Sequence, residues 1–456
     1  MKSDQLWQTA RVGDILTIRN GYAVKSSDYN QDGVPLIRQS DINGDIIDIS
    51  AAKRVPTRVM EECAEYLIRK GDLLIGMSGS LGKIGRYVNE EVAVQNQRTG
   101  LLQVKPGFSA GFAKLVLKFV EPQIIAEGKG VAVQNVSAKE IEACTFPLPP
   151  EKERDRIVAE TEKQFTRLDA GVALLKRVQA ALKRYRASVL KAACEGRLVP
   201  TEAELARTEN RNYEMGEQLL QRILKERREK WNGKGKYKEP ANPDPEHLPS
   251  IPEGWTWATV DQLAAPEPNS ITDGPFGSNL KTEHYTSTGP RVIRLQNVGD
   301  GVFVDEDAHI SEEHFQRLQK HRVFAGDVVI AALGENPPRS CLIPQSVGPA
   351  IVKADCIRFK PHADVTPNYT NFALNSDPVR KRTKNIVHGV GRPRLNLSEI
   401  KSTILPLPPT AEQKRIVAEV ERRLSVLEEL EAVVSANFQR AKGLRQSILH
   451  RALMVA

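Results

Sequence analysis

The sequence predicts a tandem pair of mixed α/β (α+β) domains separated by two long helices that form an antiparallel coiled-coil pair, the halves related by a pseudo-twofold internal repeat. Three observations carry the prediction. The chain repeats itself once. Each copy opens with short β-rich runs broken by Gly and Pro, and each closes on a proline-free stretch of roughly 43 residues with apolar side chains in steps of three and four.

The repeat is read from matches in the same order. Tyr29, Gly33, Ile37 and Arg38 recur as Tyr285, Gly289, Ile293 and Arg294, each displaced by 256 positions. Gly71-Asp72-Leu73-Leu74-Ile75 returns as Gly326-Asp327-Val328-Val329-Ile330 at 255. Pro147-Leu148-Pro149-Pro150 and Arg156-Ile157-Val158-Ala159-Glu160 return as Pro406-Leu407-Pro408-Pro409 and Arg415-Ile416-Val417-Ala418-Glu419 at 259. A period this long excludes a solenoid, whose repeats span ~20–50 residues.

In chain order, residues 1–150 form the first domain, with short strands such as Val34 to Ile37, Asp72 to Ile75 and Leu101 to Val104 and a helix near Ala113 to Val120. The Pro-Leu-Pro-Pro stop ends it. Residues 151–196 form the first long helix, opened by Glu151 and Glu153, with a seam at Ile157, Phe165, Leu168, Val172, Leu175, Leu182, Tyr185 and Val189. Residues 197–250 are a charged linker in which Thr201 to Trp231 reads as one amphipathic helix. Its end, Arg222 to Glu239, carries eight basic and three acidic residues, the pattern of a solvated face, with phosphate contact as the alternative reading.

Residues 251–409 repeat the domain, with runs at Val292 to Leu295 and Asp327 to Ala331 and a helix at Tyr369 to Asn375. Residues 410–456 repeat the helix, with a seam at Ile416, Val420, Leu424, Leu427, Val434, Phe438, Ala441, Leu444 and Ile448. A helix of this length, about 65 Å, cannot bury so narrow a seam on one small domain, so the two helices are expected to pair with each other.

Composition narrows the function. The 456 residues are 40% hydrophobic and 27% charged, the balance of a folded globular chain. No run reaches the ~18 apolar residues of a membrane span, and Met1 to Gly21 lacks the order of a signal peptide, so a cytoplasmic location with no membrane partner is expected. The five cysteines are scattered without a CxxC pair and read as buried thiols. A net charge of +8 suits a polyanionic partner.

Enzyme motifs fail in turn. Asn336-Pro337-Pro338-Arg339 places arginine where an adenine methyltransferase needs an aromatic residue. Gly79-Ser80-Leu81-Gly82-Lys83-Ile84 lacks the first glycine and the Mg-binding hydroxyl of a phosphate loop. Glu399-Ile400-Lys401 after Asp377 mimics a nuclease pair, yet Glu399 aligns with Glu140 in a packing turn. His309 and His314 flank Glu312-Glu313 without metal spacing, and all eight histidines lie in the second half of the chain, with none in the first copy. Duplicated active sites require duplicated catalytic residues, so no catalytic or metal site is expected.

These residues together resemble the DNA-specificity subunit of type I restriction-modification systems. The resemblance rests on the Ile37-Arg38 and Ile293-Arg294 segments, Gly71-Asp72 and Gly326-Asp327, Asp273-Gly274-Pro275-Phe276-Gly277-Ser278, Ser78-Gly79-Ser80-Leu81-Gly82-Lys83, both Pro-Leu-Pro-Pro stops, both Arg-Ile-Val-Ala-Glu helices and Pro252-Glu253-Gly254-Trp255. The first copy carries Asn20-Gly21-Tyr22 where the second has Asp273-Gly274-Pro275, and the second carries Gly334-Glu335-Asn336 in place of Gly-Ser-x-Gly-Lys.

The resemblance implies two target-recognition domains reading double-stranded DNA, each taking one half of a bipartite, asymmetric site. It also implies helices that dock two methyltransferase subunits and set the half-site spacing, and two restriction/translocase subunits in the full complex. S-adenosylmethionine, ATP and Mg would then sit on the partners, with no cofactor and no catalysis in this chain. Antiparallel helices would place the domains at opposite ends in pseudo-twofold relation. Base reading needs forked donors and amides. The candidates are Arg38, Gln39, Gln95, Asn96 and Arg98 in the first domain and Arg294, Gln296, Asn297, Lys353, Arg392 and Arg394 in the second, with Lys83 and Lys281 as phosphate contacts. The alternative is a helical scaffold that binds only proteins and holds DNA weakly and without regard to sequence.

Overall fold

The computed structural model describes residues 7–454 apart from 31, 80, 130–133, 233–234, 245, 247, 335 and 385–392. The chain divides into two compact units, Met1–Arg177 with Val434–Ala456, and Val178–Val433.

In the first unit the strand Gln8–Arg11 pairs antiparallel with Thr145–Leu148, so the two ends of the domain close on each other. Between them lie two four-stranded sheets. One is antiparallel, in the order Leu16–Asn20, Thr99–Val104, Leu73–Gly76, Ile84–Arg86. The other runs Lys53–Val55, Val34–Ile37, Ala93–Gln95, Leu67–Ile68, and its central pair is parallel, with Leu36 opposite Val94. The helix Ala110–Phe119 begins where the Ser109 hydroxyl accepts from the Phe112 N–H at 3.2 Å, and it buries Phe112, Ala113, Val116 and Leu117 against Ile15, Leu16 and Phe146.

The second unit repeats this order strand for strand. Thr256–Thr259 closes on Ile404–Leu407. Ile271–Asp273, Cys356–Phe359, Val328–Ala331 and Arg339–Leu342 form the antiparallel sheet; His309–Ile310, Tyr285–Ile293, Ala350–Val352 and Arg322–Val323 form the sheet with the parallel pair, Ile293 opposite Val352. The sequence duplication is therefore a duplication of topology.

The repeated Gly-Asp motif has a structural explanation. Gly71 and Gly326 sit at φ +98° and +84°, and the following carboxylates accept backbone N–H groups three residues back, from Arg69 to Asp72 and from Phe324 to Asp327, both at 2.8 Å. Gly79 and Gly82, at φ +69° and +75°, lie between the antiparallel strands Leu73–Gly76 and Ile84–Arg86. Glu140 and Glu399 both close capping boxes, with Ser137 and Asn396. All five cysteines are buried, and burial pushes the Cys194 and Cys341 thiols up to about 11 and 12.

Two uninterrupted helices, Glu151–Cys194 and Thr410–Met454, each contribute to both units. Their starts are fixed alike: Arg154 Nε donates to the Pro149 carbonyl at 3.1 Å, and Gln413 Nε2 donates to the Pro408 carbonyl at 2.9 Å. In the first unit Asp169 pairs with Arg445; in the second Arg186 meets Glu431 at 3.4 Å, and Val189 and Ala193 cluster with Ile416 and Val420. Rising numbers on one helix meet falling numbers on the other, so the pairing is antiparallel within each unit.

Most of the seam is covered, but Tyr185 and Leu444 are 45% and 51% exposed. A two-helix pair covers only a narrow stripe. Near Leu444 it is further opened by Gly171 and Gly443, where an added Cβ would touch nothing. Leu168, Val172, Leu175 and Leu444 line the resulting cleft of about 930 Å³.

The linker departs from expectation. It holds two helices, Glu202–Glu209 and Gly216–Glu229, broken at Asn210 with φ 50°. It is also built into the second unit: Leu219, Leu220 and Ile223 are buried with Ala258, Val260 and Leu405. Gly216 approaches the Leu407 carbonyl so closely that a Cβ would lie 2.4 Å away. Glu412, wholly buried, accepts from the Glu202 N–H at 2.8 Å and from Trp255 Nε1 at 3.0 Å, and burial raises its pKa above the ordinary glutamate value.

The two Gly-Asp caps differ in one respect that makes them a paired test. Arg358 Nε donates to Asp327 at 2.6 Å with both side chains 5% exposed, whereas Asp72 is half-buried and caps only backbone. Asp327→Ala is expected to destabilise its unit by ~2–4 kcal/mol because it removes both the cap and the partner of the buried Arg358 Nε, leaving the guanidinium only Glu267 and the Asn269 carbonyl at 3.4 Å, and Asp72→Ala by about 1 kcal/mol. Urea unfolding of the two variants checks the contrast, and equal losses would refute it.

Candidate nucleic-acid interface

In the first domain four segments meet at the end of the parallel strand pair. Gly21 packs directly on the Gln95-Asn96 backbone: an added Cβ would lie 2.3 Å from the Asn96 carbonyl oxygen. Asn96 N–H donates to Ile37 at 3.1 Å, which places Arg38 beside it, and Met77 N–H donates to Arg98 at 3.1 Å, bringing in the hairpin that carries Lys83. The Gln39 amide lies against Gly79, where a Cβ would come 2.6 Å from its Nε2.

The second domain repeats the arrangement. A Cβ on Gly274 would lie 2.0 Å from the Lys353 carbonyl carbon, and Lys353 N–H donates to Ile293 at 2.8 Å. Gly79 N–H donates to Gln134 at 2.7 Å and Gly334 N–H donates to Pro393 at 3.1 Å, so the equivalent segment lies beside the hairpin in both copies. The departures in sequence at Asn20-Gly21-Tyr22 and Gly334-Glu335-Asn336 change side chains while the backbone contacts persist.

The predicted residues separate by direction. Lys83, Arg98, Lys281, Gln296 and Arg394 are exposed. Arg394 is held 2.8 Å from Asp355, with its guanidinium 5.9 Å from the ring of exposed Phe276. Lys281 stands 3.5 Å from Glu283. Arg38, Gln39, Arg294 and Lys353 are half-buried. Arg38 reaches Asp41 at 3.5 Å, Arg294 donates to the Asp307 carbonyl at 3.1 Å, and the Lys353 ammonium lies 5.5 Å from the Tyr285 ring centre. Arg392 lies outside the described residues.

Three candidates turn inward, which corrects the expectation that they reach bases. Gln95 has no exposed surface, and its Nε2 donates to the Arg19 and Thr99 carbonyls at 2.9 and 2.8 Å. Asn297 is equally buried: Oδ1 accepts from the Arg294 N–H at 2.9 Å and Nδ2 donates to Val304 and Glu306 at 2.9 and 2.8 Å. Asn96 is 7% exposed and accepts from the Arg98 N–H at 3.3 Å. Turning any of them toward a base would orphan buried backbone groups. Sequence reasoning missed Asp41, which accepts from the Arg38 N–H at 2.8 Å as Asn297 does from Arg294. The signal was an Arg followed three residues later by Asp or Asn in both copies.

Two copies of one backbone frame, carrying mostly different side chains at matching positions, define a tandem two-domain protein. The family described as "Type I restriction modification DNA specificity domain" matches residues 5–184 and again 292–432, and the chain belongs to that family, whose general role is recognition of DNA sequence. It is similar to the Type I restriction enzyme EcoBI specificity subunit of Escherichia coli, 24% identical over 453 residues covering 98% of this chain and 85% of that one. The EcoKI specificity subunit of Escherichia coli strain K12 is 22% identical, over 98% of this chain and 88% of that one. A solved structure titled for complex assembly and conformational transition of the type I R-M system shares the fold, with a TM-score of 0.57 and 18% identity, over 99% of this chain and 98% of that one. No helix among the described residues is long and apolar enough to cross a membrane.

The close backbone approach makes the glycines testable. Gly274→Ala forces backbone apart and is expected to cost ~1–3 kcal/mol, while Gly44→Ala, with nothing within 4 Å, is expected to stay within about 0.5 kcal/mol of the parent. Denaturant melts of both variants check this, and a neutral Gly274→Ala would show that the approach does not constrain the corner.

Proposed function

We propose that each target-recognition domain reads one half of a bipartite, asymmetric double-stranded DNA site, and that methylation and cleavage belong to partner subunits. The observation that carries this is the shared frame with unlike side chains: Arg38 recurs as Arg294, but Gln39 and Arg98 are matched by Leu295 and Asp355, and Lys353 and Arg394 by Asn96 and Asn135. Identical backbones with different forked donors suit unlike half-sites.

On this reading the long helices set the half-site spacing and dock two methyltransferase subunits, with two restriction/translocase subunits joining in the full complex. S-adenosylmethionine, ATP and Mg are assigned to those partners, and the complex works in the cytoplasm. The open cleft at Leu168, Val172 and Leu175 and the 60% exposure of Leu174 support docking, since apolar surface of this kind marks interaction sites.

Arg394→Ala is expected to weaken binding by ~1–3 kcal/mol and relax preference in one half-site only. Lys83→Ala is expected to weaken all sequences alike and lower the salt slope by about 1. Titrations of the assembled methyltransferase complex on duplexes altered in either half check both, and binding indifferent to sequence would establish the protein-only scaffold instead.

Leu174→Glu with Leu444→Glu is expected to abolish co-purification of the methyltransferase subunit while leaving the circular dichroism melt unchanged, because both side chains are already solvated. Retained co-purification would place docking elsewhere.

A further inference from the structure

The basic run that ends the linker has no part in half-site reading as described above. Most of its cations are already paired: Arg222 with Glu214 and Asp364, Arg227 with Asp261, Arg228 with Glu239, Lys225 with Glu229 and Lys230 with Glu226. Lys236 and Lys238 have no ion-pair partner among the described residues, and neither does Lys401 of the short helix Leu397–Lys401. These three ammonium groups line one cleft of about 730 Å³ within the second unit.

Two aromatic rings, Trp231 and Tyr237, also line the cleft. Trp231 is 38% exposed and its Nε1 donates to the Gly235 carbonyl at 3.2 Å, which fixes the indole. Tyr237 packs edge-on against it, ring centres 5.7 Å apart, and its buried hydroxyl bonds to no group among the described residues. The two carboxylates of the wall, Glu239 and Asp261, are the ones neutralised by Arg228 and Arg227. The rim is tied to the domain where Thr259 Oγ1 donates to the Ala241 carbonyl at 3.3 Å and Gln262 Nε2 donates to Asn242 at 2.9 Å. The site thus combines three lysines without ion-pair partners among the described residues with one aromatic pair.

We propose that this cleft binds a nucleotide unit, with phosphate among Lys236, Lys238 and Lys401 and a base ring against Trp231. Unpaired lysines attract phosphate, and an aromatic face stacks any base without reading it. The volume falls in the range of small-ligand sites. The nucleotide comes either from a DNA strand outside the half-sites or from a free nucleoside triphosphate. The inference does not rest on base reading by the two recognition corners, because it concerns different residues and a contact indifferent to sequence.

Fluorescence anisotropy of the full chain with a labelled ten-residue oligothymidylate, and separately with a labelled ATP analogue, tests it. For whichever ligand binds, Lys236→Ala/Lys238→Ala/Lys401→Ala is expected to weaken affinity about tenfold or more, and for the strand to lower the salt slope by about 2. Trp231→Ala is expected to cost about tenfold and Trp231→Phe about twofold or less, as stacking requires. The charge-matched control Lys152→Ala/Lys176→Ala/Lys183→Ala, on the first long helix, is expected to stay within about twofold.

The ligand that responds identifies the source. Binding of neither ligand by the parent, equal losses in the control, or displacement of the strand by polyglutamate as effectively as by unlabelled oligothymidylate would overturn the proposal. Half-site discrimination measured on duplexes with the same variants stands as a separate readout, so failure there leaves this result interpretable.

Discussion

A backbone can come within van der Waals distance of another backbone only where no Cβ intervenes, and both recognition domains are organised around that constraint. At Gly21 and Gly274 the chain leaving one sheet presses on the strand of the other, at distances where a Cβ would sit 2.3 and 2.0 Å from main-chain atoms. The contact brings the end of the antiparallel sheet against the parallel pair of the second sheet. Arg38 and Arg294 follow that pair directly, and the hairpins at Gly79 and Gly334 dock beside it. Fixed main chain around the corner holds the side chains that follow it in place, so the loops there need not order on binding a partner.

The same constraint explains how one frame supports two sets of contacts. The hydrogen bonds that build the corner are main chain to main chain, and a carbonyl accepts equally well whichever side chain stands on it. Gly79 bonds to the carbonyl of Gln134, and Gly334 to that of Pro393. Asn96 and Lys353 occupy matching positions and both donate their N–H to the strand carrying the Ile-Arg segment. Selection on the outward atoms can therefore proceed without disturbing the fold. Arg38 with Gln39 in one copy and Arg294 with Gln296 in the other are different outward sets on nearly the same turn.

The duplicated topology and the long helices were legible in the sequence because repeats and helical periodicity are properties of residue order. The candidate contact residues were legible only by type. Gln95 and Asn297 have the right chemistry for adenine, yet a short amide in a turn has backbone groups closer to hand than any ligand, and both are spent there. The linker was misread for a related reason. A charge-rich helix looks solvated in sequence, but Leu219, Leu220 and Ile223 fall on one face and are enough to seat Gly216–Glu229 in the second core. Its arginines then meet acids far away in sequence, as Arg222 meets Asp364, which no local pattern announces.

Divergence between the copies also follows what lies over each position. Glu153 and Glu412 occupy equivalent places in the first turn of the two long helices, and a carboxylate there suits the positive end of the helix. Glu153 pairs with Arg156 at 2.5 Å on an open face. Glu412 lies beneath the linker, where the Glu202 N–H and the Trp255 indole replace water as donors, and the neighbouring Arg415 turns instead to Glu202 at 2.6 Å. The residue type is the same and the cost of ionising it is not, since burial raises the Glu412 pKa. Two chemically identical positions thus became a surface ion pair in one unit and a buried hydrogen-bonded bolt in the other, and the difference comes from the segment packed over them rather than from the helix that carries them.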